Sequence, residues 1–233
     1  MLINQEGNLM TINPSAPRRN LKEVARLLQE HDQKVGLSAR AHELARQRGL
    51  FTDSMTASAG RTLSYYSGAI EQMSNRLGKF SGKHFLHIAS STGVLGKFLE
   101  NMRATAVNLD SDKVYSQIAK KLGNQNSVRA DATRPLPFAS NSFNCLITDH
   151  FVFAKYKLID MHPEHEGSQA VLKEAARVLR PDGIFVINAV DYKLPLEDLI
   201  QISSKYFKKV EPYAYVQDKI FIPGLVLSLP KKE

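Results

Sequence analysis

The sequence has 233 residues, of which 43% are hydrophobic and 23% charged, with a formal net charge of +8. This composition is ordinary for a soluble globular chain, and no apolar run approaches the roughly 20 residues that span a membrane. The basic excess is spread along the chain with no dense block of arginine and lysine, which disfavours a nucleic-acid partner.

The cysteine content restricts the chemistry further. Cys145 is the single cysteine of the chain, which excludes an internal disulfide and a thiolate metal cluster. Its position in the apolar run FNCLIT predicts a buried core residue and not a nucleophile. The N-terminus also lacks the basic segment and apolar core of a secretory signal. These features together favour a cytoplasmic location.

The N-terminal third of the chain is predicted to be helical. Residues 1–20 are polar and predict a loose arm, whereas 21–80 predict a helical cap region. Apolar residues at helical spacing predict helices over 21–31, 37–50 and 61–80. We expect this region to pack across the carboxyl edge of the sheet predicted for the rest of the chain.

After Ser81 and Gly82, short apolar strands alternate with helical segments. The predicted strands cover 84–89, 105–109, 127–130, 143–148 and 184–190, and the predicted helices cover 94–102, 112–122, 168–179 and 196–207. This alternation is typical of βαβ units with parallel strands. Residues 210–216 and 220–229 then predict an antiparallel hairpin. The sequence therefore predicts an α/β domain over 81–233, with five parallel strands and a C-terminal hairpin.

Four short motifs occur along this domain in a fixed order. They are LHIASSTG at 86–93, VNLD at 107–110, RADA at 129–132 with the following LPF and SFN, and EAARVLRPDG at 174–183. Together with the strand plan, they resemble the Rossmann-like S-adenosylmethionine-dependent methyltransferases, in particular the small-molecule branch grouped as methyltransferase type 11. The resemblance covers about 60 to 230. It implies a Rossmann-like methyltransferase fold, S-adenosylmethionine as cofactor and S-adenosylhomocysteine as product.

The first motif departs from the pattern of that family. The family has a G-x-G-x-G loop after a strand that carries an Asp. Here only Gly93 is retained, Ala89 and Ser91 stand at the other two glycine positions, and His87 stands at the Asp. A Cβ at position 89 or 91 is expected to obstruct a ligand or to strain the turn. The resemblance nevertheless implies that these four residues surround the cofactor.

The second and third motifs imply further cofactor contacts. In the family an acidic residue accepts hydrogen bonds from the ribose hydroxyls, and Asn108 stands at that position. Asp110 is the alternative ribose partner if the strand ends one step later. Asp131, followed by Ala132, stands where the family has an Asp near the adenine amino group. The substitutions together predict a cofactor affinity that is weaker by on the order of 1–3 kcal/mol.

The fourth motif is expected to be mainly structural. Pro181 is expected to end the preceding helix, and Gly183 to take a positive φ.

Other candidate site residues flank the predicted sheet edge. Asp149 and His150 follow the fourth strand, where they either end the strand or act as a base or a substrate contact. Tyr65, Tyr66 and Phe151 either line a substrate cavity or belong to the core. The acidic and histidine-containing stretch at 161–166 reads as a solvated loop and not as a metal site, so no metal is expected.

Three functions remain open from the sequence. The first is a methyltransferase that acts on a small molecule. The alternative is a catalytically inactive methyltransferase-like module for binding or regulation, which would need a protein partner, and it is motivated by the substituted cofactor motifs. The third, a nucleic-acid-binding protein, rests on net charge alone and ranks last. No membrane partner is expected.

Overall fold

The computed structural model describes residues 30, 36–47, 63–149, 166–188, 196–217 and 220–231. Its helices are α1 (Leu37–Arg46), α2 (Ser67–Leu77), α3 (Val94–Asn101), α4 (Lys113–Lys121), α5 (Glu166–Val178) and α6 (Leu196–Ser203), and a 3-10 turn (Leu63–Tyr66) precedes α2. Its strands are β1 (His84–Ile88), β2 (Thr105–Asp110), β3 (Asn126–Arg129), β4 (Phe143–Asp149), β5 (Leu179–Asn188), β6 (Phe207–Gln217) and β7 (Ile220–Pro230). The predicted arm at 1–20 and nearly all of the predicted helix at 21–31 lie outside the described residues.

The seven strands form one sheet in the order β3-β2-β1-β4-β5-β7-β6. Strands β1 to β5 pair in parallel, and β7 pairs antiparallel with both β5 and β6. The predicted Rossmann-like plan of parallel strands and a C-terminal hairpin is confirmed. The chain runs from β1 outward to β3 and then returns to β4 on the other side of β1. In open α/β sheets, ligands bind at the carboxyl ends of the strands where the order reverses in this way.

Two apolar clusters cover the two faces of the sheet. Phe85 and Cys145 belong to the cluster that includes α2 and α3, whereas Leu86 and Leu146 belong to the cluster that includes α5 and α6. This division follows from the alternation of side chains along a strand. Cys145 is buried as the sequence predicted, and its burial raises the pKa of the thiol well above its ordinary value.

Helix α2 lies on a face of the sheet and not across the carboxyl edge expected for the helical region. Its residues Ala69, Ile70 and Met73 are buried in the same cluster as Phe85, so its apolar side faces the sheet. The predicted helix at 61–80 is also shorter than expected. Within the described residues its first turn is the 3-10 turn, and the helix ends at Leu77, where Gly78 adopts a φ of 68°.

Strand β5 begins earlier than the sequence predicted, because the RPDG segment is already extended. Helix α5 ends at Val178, so Pro181 lies within the strand and does not end the helix. Gly183 does not have a positive φ. A Cβ on Gly183 would instead lie 2.8 Å from Leu179 Cδ1 and 3.0 Å from the backbone oxygen of Asn144. Glycine is required here by close packing between neighbouring strands.

The EAAR part of the fourth motif ties α5 to the loop before β4. The Arg177 guanidinium donates to Glu174 at 2.7 Å and to the backbone oxygens of Leu136 and Phe138 at 3.0 and 2.8 Å. Glu174 in turn accepts from the Leu136 amide at 2.7 Å. The hydrogen bond from Arg177 is the main cause that lowers the pKa of the Glu174 carboxyl. The motif is therefore a structural clamp on the LPF segment.

We expect Arg177→Ala to lower the free energy of unfolding by about 2–3 kcal/mol, because Glu174 and two backbone oxygens lose their donor. Arg177→Lys keeps the charge without the planar fork and is expected to recover less than half of this loss. Urea unfolding at neutral pH measures both. The Glu174 pKa is lower in the folded protein, so the stability it contributes is present above its ordinary value of 4.5 and is lost as the pH falls through the folded value.

Arg180→Ala is the matched control, because Arg180 is exposed and lies three positions further along the chain. It should change the free energy of unfolding by no more than about 0.5 kcal/mol. Equal effects of the two alanine variants would contradict the clamp.

Candidate functional site

Three loops meet at the carboxyl ends of β1, β2 and β3, and Asp110 connects them. The backbone amide of Ser91 donates to Asp110 Oδ2 at 2.8 Å, and the amide of Asp112 donates to Oδ1 at 2.9 Å. The backbone oxygen of Asp110 accepts from the Ala130 amide at 3.1 Å, and the Ser90 amide donates to the Leu109 oxygen at 3.0 Å. The residue that ends β2 therefore fixes the loops on both sides of it.

The loop after β1, residues 89–93 and called the β1 loop below, keeps a glycine-type backbone despite its substitutions. Ala89, Ser91 and Gly93 have φ values of 54°, 51° and 77°. L-residues rarely adopt this left-handed conformation, at a cost of roughly 1–2 kcal/mol each. A Cβ on Gly93 would lie 2.8 Å from Asn124 Nδ2 and 2.9 Å from Ala119 Cβ, so only glycine fits there. The turn is thus retained under strain, which is typical of functional sites.

We expect Ala89→Gly and Ser91→Gly each to raise the free energy of unfolding by about 0.5–1 kcal/mol. Relief of the left-handed strain outweighs the greater freedom that glycine gives the unfolded chain. Ala139→Gly is the control, because Ala139 is exposed and has no positive φ. It should lower the free energy of unfolding in the same urea titration. Destabilisation by all three glycine variants would contradict strain in the β1 loop.

The Asp110 carboxylate is held in a buried position. Asp110 is 9% exposed, and the pKa of its carboxyl is raised, mainly because burial disfavours the charge. The hydrogen bonds from the amides of Asp112 and Ser91 act in the opposite direction. A desolvated carboxylate at the end of a strand is a strong acceptor for hydroxyl groups. Such an arrangement fits a ligand that carries neighbouring hydroxyls.

Asn108 does not occupy the position that the second motif assigned to it. Strand β2 continues two residues further, to Asp110, so the end of the strand belongs to Asp110. The Asn108 Nδ2 atom donates to Asn124 Oδ1 at 2.8 Å, and a Cβ on Gly96 would lie 2.2 Å from Asn108 Oδ1. Its side chain therefore packs between α3 and Asn124, away from the strand end.

A buried polar network lies at the carboxyl ends of β1, β4 and β5. His87 is 1% exposed, and its Nε2 atom lies 3.4 Å from Asp149 Oδ2. Asn188 Nδ2 donates to Asp149 Oδ1 at 2.8 Å, and the Tyr213 hydroxyl donates to Asn188 Oδ1 at 3.1 Å. The family has a carboxylate at the position of His87. In this chain the carboxylate of Asp149, on the adjacent strand β4, lies beside His87.

Asp131 follows β3 and caps its own turn. It is exposed, and its Oδ1 atom accepts from the amide and the hydroxyl of Thr133 at 2.9 and 2.8 Å. Ala132 beside it is buried. A turn-capping role and a ligand contact are compatible, because a carboxylate has two oxygens.

Of the predicted substrate residues, Tyr65 and Tyr66 lie within the described part of the chain. Tyr66 is buried, and its ring packs edge-on against the His87 ring with centroids 5.8 Å apart. Tyr65 is half-buried and packs edge-on against Tyr66 at 5.3 Å. His150 and Phe151 lie outside the described residues, as does the 161–166 stretch. Contact with a substrate remains a prediction for these aromatic residues.

Two members of the site, and one packing residue outside it, were not singled out from the sequence. Asn188 ends the apolar run IFVIN as Asp149 ends CLITD, so a comparison of the two strand ends would have found it. Tyr213 reaches the network from β6, a strand distant in the sequence, and no local pattern indicates this contact. Asn124 likewise lies in a turn whose composition gives no sign of its bond to Asn108.

The fold is that of a Rossmann-like methyltransferase domain. Residues 86–187 match the family model Methyltransf_11, the "Methyltransferase domain". The resemblance read from the motifs is confirmed. A search of curated proteins gave no match.

Solved structures with the same fold include a TehB-like SAM-dependent methyltransferase from Corynebacterium glutamicum. It has 18% identity and a TM-score of 0.55, and the match covers 81% of this chain and 97% of that one. A protein from Pyrococcus horikoshii OT3 has 17% identity and a TM-score of 0.53, with 71% and 91% covered. A chain from the complex of the Haloferax volcanii Trm112 methyltransferase activator with a methyltransferase has 13% identity and a TM-score of 0.56, with 82% and 95% covered. At these identities the likeness supports the fold.

None of the helices within the described ranges is long and apolar enough to cross a membrane.

Proposed function

We propose that this protein is an S-adenosylmethionine-dependent methyltransferase that acts on a small molecule. The observation that carries the proposal is the Asp110 carboxylate, which ends β2 and accepts the Ser91 amide of the β1 loop at 2.8 Å. This contact joins a ribose-type acceptor to the strained β1 loop at the point where the strand order reverses.

The described residues fit such a cofactor. Asp110 offers a buried carboxylate to ribose hydroxyls, and Asp131 with Ala132 flanks the adenine side. The β1 loop, ending in Gly93 with a φ of 77°, leads into the N-terminus of α3, whose amides favour the carboxylate of an amino acid. The strain at Ala89 and Ser91 supports a loop shape that is retained for binding.

The bound cofactor would supply a methyl group activated by attachment to a positively charged sulfur. The chain would contribute alignment, because holding two reactants in line accounts for a large part of such a rate enhancement. Methyl transfer therefore requires no dedicated nucleophile in the protein. If the acceptor must lose a proton, His150 or Asp149 is the candidate base, and Asp149 lies beside His87 and Asn188.

A small-molecule acceptor is supported by the spread of basic residues along the chain, which form no block suited to a nucleic acid. The inactive-module alternative rested on the substitutions at His87, Ala89, Ser91 and Asn108. The left-handed backbone of the β1 loop and the position of Asp110 at the end of β2 argue against it.

The decisive test is calorimetric titration of the full chain with S-adenosylmethionine and S-adenosylhomocysteine. Micromolar binding of both is the expected result. No binding up to millimolar concentrations would refute the proposal and favour the inactive module.

Asp131→Ala is expected to weaken S-adenosylhomocysteine binding by about tenfold, because a charge-assisted acceptor is lost. Asp131→Asn is the matched variant, since it keeps an oxygen for the Thr133 turn and removes only the charge. It should weaken binding to a similar extent while the melting temperature stays close to that of the wild type. Unchanged affinity in both variants would remove Asp131 from the cofactor site.

A further inference from the structure

We propose that the amino edge of the sheet, where the parallel strands begin, is a docking surface for an anionic lipid bilayer. This edge lies opposite the candidate cofactor site. It carries a concentration of exposed basic side chains together with the exposed large apolar side chains of the described residues. The inference goes beyond the proposed function and does not depend on it.

The amino edge is assembled from segments that are distant in the sequence. Helices α3 and α4 end there, because they lead into β2 and β3. The end of β7 and the start of β6 also lie there, since Ser228 aligns with Ile184 of β5 and Pro230 aligns with Phe207. No membrane partner is expected from the sequence, in which the residues of this surface stand in six separate segments. The fold alone brings them together.

The exposed charge at this edge is almost entirely basic. Nine exposed lysines and arginines, and one exposed carboxylate, that of Asp182, lie in the segments 78–84, 100–105, 120–126, 178–184, 203–209 and 228–231. At the carboxyl edge, three exposed basic and three exposed acidic residues lie in the described segments 88–94, 109–114, 129–134 and 196–198. The basic excess of the described chain is therefore concentrated at the amino edge.

Helix dipoles explain only part of this concentration. Lys120 and Lys121 lie in the last turn of α4, where a positive charge is favoured by the helix dipole. Lys205 lies in a turn, and Lys208 and Arg180 lie on strands, so that preference does not account for them. Their position on one edge points to a negatively charged partner.

The exposed large apolar side chains of the described residues lie at two points of the same edge. Leu229 on β7 is 50% exposed, and Met102, which leads into β2, is 46% exposed. Strands β2 and β7 are four strand spacings apart, which is roughly 20 Å. Arg103, also exposed, follows Met102 directly. Apolar and basic side chains thus alternate along the edge.

A left-handed backbone turns Leu229 outward. Leu225 and Leu227 are buried in the cluster that includes α5 and α6, and regular alternation would place Leu229 on that same face. Leu229 instead has a φ of 55° and is exposed, whereas Pro230 is buried. Strained residues of this kind concentrate at functional surfaces.

Lys208 lies beside Leu229. Its neighbours in β6, Phe207 and Lys209, align with Pro230 and Ser228 on either side of Leu229. The apolar side chain is therefore accompanied by a basic one on the adjacent strand.

This combination suits an anionic bilayer better than a nucleic acid. Lysines attract acidic headgroups, and an apolar side chain between them enters the boundary of the acyl chains. A nucleic-acid surface of this size would use exposed aromatic rings for stacking, whereas every Phe and Tyr in these six segments is buried or half-buried. Docking by the amino edge also leaves the carboxyl edge open to small molecules from the water.

Vesicle flotation of the full chain tests the proposal. The wild type should bind vesicles of phosphatidylcholine with about 30% phosphatidylserine and should not bind phosphatidylcholine alone. Lys205→Gln combined with Lys208→Gln should weaken binding by about tenfold or more. Leu229→Asn should weaken it by about fivefold or more, and Asn tolerates the left-handed backbone at this position.

Lys113→Gln combined with Arg134→Gln is the matched control. It removes two exposed positive charges from the carboxyl edge and should change vesicle binding by less than about twofold. Equal losses in the two double variants would show a general effect of net charge and would overturn the proposal. Absence of wild-type binding to the phosphatidylserine vesicles would overturn it as well.

Hydrogen exchange of the unchanged chain covers the case in which a variant does not fold. On phosphatidylserine vesicles, amides in 203–209 and 228–231 should exchange more slowly than in the free chain, and those in 89–93 should not change. Slower exchange at 89–93 alone would place the contact at the opposite edge and refute the proposal. Tighter binding to a DNA duplex of about 20 base pairs than to the vesicles would assign the amino edge to nucleic acid instead.

Discussion

Asp110→Asn is expected to bind S-adenosylhomocysteine about 10–100-fold more weakly than the wild type. A carboxylate accepts two hydroxyl protons with charge assistance, whereas an amide offers one uncharged oxygen. In the variant that single oxygen would also have to accept from the amides of Ser91 and Asp112. Calorimetric titration of the two proteins at neutral pH measures the difference.

The same substitution should leave the free energy of unfolding within about 1 kcal/mol of the wild type. Burial raises the Asp110 pKa, so the folded protein holds this proton more tightly than the unfolded chain. The stability that the carboxyl contributes is present below its ordinary value of 3.8 and is lost as the pH rises through the folded value. Removal of the charge at neutral pH therefore offsets the lost amide contact.

The raised pKa also predicts the pH dependence of binding. As the pH falls through the folded value, protonation of Asp110 removes an acceptor, so S-adenosylhomocysteine affinity should fall. This loss should be absent from Asp110→Asn.

Asp112→Asn is the matched control for charge. Asp112 lies two residues on and caps α4 by accepting the Val114 amide, and Asn caps helices equally well. Its affinity should stay within about twofold of the wild type. If both variants weaken binding to the same extent, the effect is a general one of charge and Asp110 is not the ribose partner.

The strand plan could be predicted because each strand is a short apolar segment, and the helices between the strands place apolar residues at helical spacing. The sequence left Asn108 and Asp110 open as ribose partners, because it did not fix the residue at which β2 ends. Whether β2 stops at Leu109 or at Asp110 depends on pairing with β3, where Asp110 aligns with Arg129. Local composition does not encode that register.

The shape of the β1 loop also could not be predicted from the sequence. Ala89 and Ser91 carry no preference for a left-handed backbone, and their conformation is imposed from outside the loop. The amide of Ser91 is held by Asp110 from the next strand, and the amide of Ser90 by Leu109. Tertiary contacts thus supply what the glycines supply in the family.

Gly96→Ala is expected to lower the free energy of unfolding by about 3 kcal/mol. In an exposed helix the same change would raise the free energy of unfolding by about 1 kcal/mol. A decrease would therefore itself indicate a steric clash. Here the new Cβ would lie 2.2 Å from Asn108 Oδ1 and 2.3 Å from Nδ2. Asn108 is 1% exposed and donates to Asn124, which in turn donates to the Ala119 oxygen, so it has no room to withdraw.

The double variant Gly96→Ala with Asn108→Ala tests that cause directly. With the Asn108 side chain removed, the methyl group at position 96 fits, and the double variant should be more stable than the sum of the two single effects by at least about 1.5 kcal/mol. Strict additivity in urea unfolding would show that the clash lies elsewhere. Asn108→Ala alone should also keep S-adenosylhomocysteine affinity within about threefold of the wild type. That result, beside the loss in Asp110→Asn, would separate the residue that packs α3 against β2 from the residue that holds the ribose.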